Sequence, residues 1–260
     1  MKKTLIGTSW KMNKTLAEAM AFCQTLETFI PTLSERIQPF IIPPFTCVRD
    51  VSTYMATNSA RCLTGVQNMH YEDRGAFTGE ISPLMVKDSG ALLVEIGHSE
   101  RREFFGETDL TVQKKVNTAL KHGLRPLICI GDSAQDVAWG ASAETIVKQT
   151  KAALFGVTPL QVEQVIIAYE PIWAIGEGGT PATPEQAQAV HRRLKAALVD
   201  IYGAETAERI PLLYGGSVNP ENAVPLLACQ DIDGLFIGRS AWQAEGFCNI
   251  LRLAEGYLTA

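Results

Sequence analysis

The chain has 260 residues, 46% hydrophobic and 20% charged, with 23 basic against 28 acidic side chains and a formal charge of −5. That length buries a sizeable core without staples, and 21 glycines with 13 prolines lie too near average usage for disorder or a fibrous repeat. The mild acidity, with no Lys/Arg run, excludes a nucleic-acid footprint, and no apolar run approaches the ~20 residues of a membrane span.

Cys23, Cys47, Cys62, Cys129, Cys229 and Cys248 are scattered without a Cys-x-x-Cys pair. In a chain this long they read as reduced, buried thiols of a cytoplasmic protein, not as a disulfide frame or zinc site. The opening Met1-Lys2-Lys3-Thr4-Leu5-Ile6-Gly7 imitates a leader peptide, but Trp10-Lys11-Met12-Asn13-Lys14 cuts the apolar stretch short of one.

Short β-branched and apolar runs recur, each followed by a longer helical pattern. The predicted strands are Thr4–Lys11, Phe40–Pro43, Cys62–Asn68, Leu92–Gly97, Arg125–Ile130, Val165–Tyr169, Ile210–Tyr214 and Gly234–Ile237. Several are apolar almost throughout, which suits parallel strands buried on both faces. Between them Leu16–Phe29 carries Met20, Cys23, Leu26 and Phe29 near one face, and Thr111–His122 carries Val112, Val116, Ala119 and Leu120 at helical spacing. Pro184–Ile201 opens with Thr183 as N-cap and Pro184 at the first helical position. Eight such units over residues 1–260 predict a single-domain α/β fold, a (β/α)8 barrel, with a doubly wound open sheet as the rival.

In such a barrel chemistry gathers at the carboxyl ends of the strands. The first ends in Ser9-Trp10-Lys11, where a lysine is a snorkelling surface residue or a functional cation. The fourth ends in Gly97-His98-Ser99-Glu100, at the start of a short helix whose N-terminus favours a neutral, hydrogen-bond-donating imidazole. His98-x-Glu100 lacks a third nearby ligand, so metal binding is the weaker reading, and no Gly-x-Gly-x-x-Gly opens a helix after a strand. The sixth ends in Glu170-Pro171-Ile172-Trp173, surroundings that partly desolvate a carboxylate and make it a better base; an arginine-paired carboxylate is the bland alternative. Gly176-Glu177-Gly178-Gly179, Gly215-Gly216-Ser217 and Gly238-Arg239-Ser240 are turns whose amides and following helix N-termini suit an anion. No metal and no organic cofactor is expected.

The motifs Trp10-Lys11-Met12-Asn13, Gly97-His98-Ser99-Glu100-Arg101, Tyr169-Glu170-Pro171-Ile172-Trp173-Ala174-Ile175-Gly176 and Tyr214-Gly215-Gly216-Ser217-Val218 resemble the triosephosphate isomerase family in order and spacing, from Ile6 to Trp242. The resemblance implies a cofactor-free isomerase of the aldose–ketose type acting on a small sugar phosphate. Glu170 would take a proton from the carbon beside the carbonyl, with His98 and Lys11 stabilising an enediolate and Glu100 pairing with Lys11; the carboxylate base and neutral histidine are the handed-down roles of that enzyme. Amides around Gly176, Ser217, Gly238 and Arg239 would hold phosphate, and Pro171–Thr183 would close as a lid. Cys129 matches a family cysteine near the base, a supporting group and not a nucleophile. The loop bearing Phe77 and Thr78 would enter a second copy, giving a homodimer.

Three departures touch the substrate envelope: Ser9 where the family usually has Asn, a lid one residue longer and without its lysine, and Gly238-Arg239 where two glycines are frequent. The same variants resemble the branch that isomerises tetrulose phosphates, notably L-erythrulose 1-phosphate. Ordinary triose phosphate isomerisation, a Schiff-base aldolase using Lys11, and a non-catalytic phosphosugar-binding protein are the competing readings.

Overall fold

The apolar runs do form parallel strands, and they close on themselves. The computed structural model describes residues 2–175 and 179–260. In it β1 (Thr4–Ser9), β2 (Ile37–Ile42), β3 (Leu63–Val66), β4 (Leu93–Ile96), β5 (Arg125–Ile130), β6 (Ile166–Tyr169), β7 (Leu212–Tyr214) and β8 (Gly234–Ile237) make a closed barrel in chain order. The last strand pairs with the first, Ile6 opposite Leu235, so no edge is left open. The rival open sheet is thereby excluded. Among the described residues no helix is long and apolar enough to cross a membrane.

β4, β6 and β7 lose one or two terminal residues against the predicted bounds, and β2 starts earlier, at Ile37. β1 and β3 each end two residues early because their last residues find other work. β1 stops at Ser9, since Lys11 adopts a φ of 53° in the left-handed region that a strand cannot continue through. β3 stops at Val66; Gln67 donates its side-chain amide to the Lys11 carbonyl at 2.8 Å and Asn68 accepts from Lys115 at 2.8 Å.

The helix Leu16–Phe29 has its predicted bounds, fixed by a reciprocal cap between Thr15 and Glu18. Its buried residues are Ala19, Phe22, Cys23 and Leu26, with Met20 and Phe29 half-buried, so the inward face is turned by a fraction of a step from the expected one. Thr183 caps Pro184–Tyr202 as expected, while Thr108 starts the next predicted helix earlier, as Asp109–Lys121. The units do not carry one helix each. Between β5 and β6 lie Ala134–Trp139, Ser142–Ala153 and Pro159–Val162, because Gly140 (φ 67°) ends the first and Thr158-Pro159 starts a third.

The barrel interior is filled by alternate residues of each strand. Leu5, Phe40, Ile42, Leu93, Leu127, Cys129, Ile166, Ala168, Leu213 and Phe236 form one inner cluster, separate from the larger layer between strands and helices. Phe40 and Phe236 stack across it with centroids 5.8 Å apart. Gly7 makes room for them, since a Cβ there would stand 2.3 Å from the Phe40 ring. Phe40→Ala should cost about 3–5 kcal/mol in denaturant unfolding, and Gly7→Ala about 1–3 kcal/mol from overpacking. The double variant should be clearly more stable than the sum of those losses, because the new methyl enters the vacated space; simple additivity would refute this packing account.

Candidate active site

Lys11 is delivered to the barrel mouth by strain. Its left-handed backbone costs a non-glycine residue about 1–2 kcal/mol, and the Gln67 amide on its carbonyl helps hold it there. The result is an Nζ lying 2.7 Å from Glu100 Oε1. Both groups are partly exposed, so the ion pair adds little stability; its consequence is the lysine's position.

His98 is the N-cap of the short helix Ser99–Phe104 that follows β4. Its Nδ1 accepts the Glu100 backbone N–H at 3.2 Å, so in the neutral ring the proton sits on Nε2. That nitrogen faces two carboxylates, Glu170 Oε1 at 3.5 Å and Glu95 Oε1 at 3.8 Å. Glu95, His98 and Glu170 thus offer ligand-type atoms all within 4.8 Å of one another. The tautomer opposes a metal there: ligation through Nε2 would require a proton on Nδ1, where the Glu100 N–H already points.

Glu170 follows β6 and is almost fully buried. Two glycines shape its place. A Cβ on Gly131 would stand 2.2 Å from the Glu170 carbonyl oxygen, and one on Gly215 would stand 3.0 Å from its Cγ. Its Oε2 lies 3.4 Å from the Ser99 N–H. Cys129 is wholly buried beside it; burial first, then the Glu170 and Glu95 charges, pushes the thiol well above its ordinary range, which is no setting for a nucleophile.

Glycine-rich turns after β7 and β8 form the opposite wall. Gly215, Gly216, Ser217, Gly238, Arg239 and Ser240 line the same cavity of about 270 Å³ as Ser9, Lys11, His98, Glu100 and Glu170. A Cβ on Gly238 would meet nothing within 4 Å, but its φ of −90° and ψ of −117° lie outside the regions open to other residues, so the turn itself calls for glycine and leaves the backbone open to the cavity. Only the β8 turn runs straight into a helical turn, Arg239–Ala241; after β7 the helix begins at Ala223, too far along to point its N-terminus from the Gly215–Ser217 turn as expected. Of the stretch expected to act as a lid, Ile175 reaches the cavity, while the predicted Gly176 lies outside the described residues. Asp132 anchors the start of the segment after β6, accepting from Tyr169 Oη at 2.8 Å and from Trp173 Nε1 at 3.2 Å.

The structure therefore brings Ser9, Lys11, His98, Glu100, Glu170, Ser217, Gly238 and Arg239 to one cavity. Sequence reasoning missed Glu95, Gln67, Asp132 and Trp242. Glu95 is the important omission, and its signal was visible: a charge in the middle of the otherwise apolar Leu93-Val94-Glu95-Ile96. It is 2% exposed and accepts the Ser9 hydroxyl at 2.8 Å through Oε2.

Burial is the main reason the Glu95 carboxyl is pushed up to about 7 from an ordinary 4.5, with the Glu170 charge adding to it. The unfolded chain releases this proton near 4.5 and the native state only near 7. The native state is favoured below the lower value and loses that advantage as the pH rises through the higher one. Glu95→Gln removes the penalty. Urea unfolding should show the variant gaining roughly 2 kcal/mol more over the wild type at pH 8 than at pH 5. A gain that does not depend on pH would contradict the buried carboxylate as its source.

Comparison with known proteins agrees with this geometry. Residues 4–254 match the family model described as triosephosphate isomerase. A protein of Brucella abortus named L-erythrulose-1-phosphate isomerase is 50% identical over 252 residues, 96% of each chain. Proteins of the same name from Rhizobium rhizogenes (51% identity, 95% of this chain and 92% of that one) and Mycolicibacterium smegmatis (49%, 97% and 93%) are similarly near. On the match along nearly its whole length and on the relatives it resembles throughout, the chain belongs to the triosephosphate isomerase family.

Proposed function

We propose that this protein isomerises L-erythrulose 1-phosphate through an enediolate, without a metal or organic cofactor. One observation carries the reading: a proton-bearing His98 Nε2 and the Glu170 carboxylate stand 3.5 Å apart, on one cavity with glycine-rich anion turns. The near relatives' shared name, at about half identity, supports the four-carbon substrate over a triose phosphate.

The substrate's own chemistry constrains the step. Carbon 1 carries the phosphate ester and has no free hydroxyl, so the carbonyl on carbon 2 can pass only to carbon 3. Glu170 takes the carbon 3 proton, and the electron pair becomes the carbon–carbon double bond while charge moves to the carbonyl oxygen. His98 Nε2–H and the Lys11 cation stabilise that oxygen. A proton then shifts from the carbon 3 oxygen to the carbon 2 oxygen, and Glu170 returns its proton to carbon 2. Carbon 3 is oxidised and carbon 2 reduced within one molecule, so no external oxidant is required.

Lys11 serves as a cation in this reading. The 2.7 Å ion pair with Glu100 engages its amine and disfavours the Schiff-base alternative. A base and a proton donor facing each other also exceed what pure binding needs.

A homodimer belongs to the same proposal. Phe77 and Thr78 are exposed on their loop, and Met12, beside Lys11, is 96% exposed. Met12 and the exposed Phe105 border a second cavity next to the site, and leaving that apolar surface in water is unfavourable. The free thiols, nearly all buried, fit a cytoplasmic setting.

In heavy water, deuterium should enter the carbon that receives the proton, and Glu170→Gln should lower kcat by ~10²–10⁴-fold while a phosphate ligand still binds. Near-normal kcat in that variant would remove Glu170 from the mechanism. Full activity should survive exhaustive chelation; loss restored by a divalent ion would overturn the metal-free reading. Sedimentation at micromolar concentration should give a dimer, and a fully active monomer would contradict the assembly. In a panel of triose and tetrulose phosphates the tetrulose should have the higher kcat/KM, with Ser9→Asn shifting the ratio toward the triose.

A further inference from the structure

We propose that Glu95, held by Ser9, is the specificity-determining residue of the site: its Oε1 takes the hydroxyl on carbon 4 of the tetrulose phosphate. The inference rests on the substrate reading above and extends it to a residue with no part in the proton transfer.

The ring order of the strands sets the direction of the substrate. In a closed eight-stranded barrel β4 lies across from β8. A phosphate held by the turns after β7 and β8 therefore sends the sugar chain across the mouth toward β4. The reacting carbons 2 and 3 fall between Glu170 and His98. Carbon 4 is one bond further from the phosphate, and β4 is the wall it meets.

What stands on that wall is Glu95. Its Oε2 is occupied by the Ser9 hydroxyl at 2.8 Å. Oε1 is 3.8 Å from His98 Nε2, beyond hydrogen-bond length, and Glu95 borders the second cavity beside the site. A carboxyl oxygen at the edge of a cavity, with no hydrogen bond to another described residue, is open to one from the ligand. Space for the extra hydroxymethyl group is present too. A second cavity of about 190 Å³, bordered by Glu95 and Gln67, adjoins the first and shares Ser9, Lys11, His98 and Glu100 with it. A hydroxyl donates and accepts, so it pairs with Glu95 whether the carboxyl is neutral or ionised.

A triose phosphate has only hydrogen at this position and leaves Oε1 bare. Discrimination of this kind is strong, because a site built to bind a hydroxyl rejects the analogue lacking it far better than an apolar pocket rejects a missing methylene. A purely structural Glu95 would behave differently, since its loss would weaken turnover of every substrate alike.

The test compares L-erythrulose 1-phosphate, its analogue lacking the 4-hydroxyl, and dihydroxyacetone phosphate on the wild type, Glu95→Gln and Glu95→Val. The wild type should lose at least ~100-fold in kcat/KM on the 4-deoxy analogue. With Glu95→Val the two four-carbon compounds should converge to within about 5-fold, and Glu95→Gln, whose amide still pairs, should fall between. Should the valine variant not fold, Glu95→Gln decides: it should lose less than the wild type on the 4-deoxy analogue, and an unchanged ratio overturns the subsite. Tetrulose preference with indifference to the 4-hydroxyl, or equal losses on all three substrates in the variants, overturns the subsite while leaving the substrate reading intact. Preference of the wild type for dihydroxyacetone phosphate overturns the substrate reading itself, and the subsite with it.

Discussion

The chemistry of this pocket hangs on the backbone N–H of Glu100. Because the helix after β4 begins at Ser99, that amide has no intrahelical acceptor and turns to His98 Nδ1 instead. The neutral imidazole must then carry its proton on Nε2, toward the carboxylates and the cavity. The same turn of helix presents the Glu100 side chain to Lys11 and the Ser99 N–H toward Glu170. One helix start therefore orients the donor, the cation and the proposed base together. Moving it by a residue would scatter all three.

The barrel supplies what the helix start cannot, namely a fixed distance between the anion turns and the reacting groups. Inward-facing rows alternate along every strand, and their lower members are apolar: Leu5, Phe40, Leu93, Leu127, Ile166, Leu213 and Phe236. Close packing of that layer makes it a rigid floor. Above it the same rows end in Ser9, Gln67, Glu95, Glu170 and the glycines of β7 and β8. Along these rows charge is kept to the upper layer, where Glu95 takes a costly burial, and Lys11 beside it takes a left-handed backbone.

Much of this was legible in the residues. Arg125–Ile130 and Gly234–Ile237 stand where the apolar runs put them, and Thr183-Pro184 marks its helix start. His98 and Glu170 were readable because each is a polar residue at the junction of an apolar run and a turn. The end of β1 was not readable, since no local pattern announces that a lysine will adopt a positive φ; that conformation is imposed by Gln67, distant in sequence. The extra helices between β5 and β6 were missed for a different reason. Their capping pairs, Ser133 with Asp136 and Thr158 with Gln161, are short-range signals that an amphipathic window averages away. Glu95 was passed over because β4 was read as buried on both faces, a pattern in which an interior charge has no assigned side. Only the closed barrel shows that Leu93 and Glu95 share the inward row, one in the floor and the other in the site.

Ser9 and Glu95 make sense only as a pair. A serine in place of the family's usual asparagine is smaller, and by itself it would merely enlarge the cavity. Its hydroxyl is committed to Glu95 Oε2, so the carboxyl is fixed and one oxygen is left over. An apolar side chain at position 95 would pack the floor without the penalty that burial places on a carboxyl, and nothing in the barrel's closure needs a charge there. The cost is offset if a ligand completes the hydrogen bonding that the protein leaves unfinished. A four-carbon sugar phosphate, anchored at β7 and β8 and carrying a hydroxyl beyond its reacting carbons, brings the missing partner to the strand that lacks it. On the proposed reading the family's proton-transfer chemistry is retained at His98 and Glu170, while the length of the substrate is read in the same upper layer, at Ser9 and Glu95.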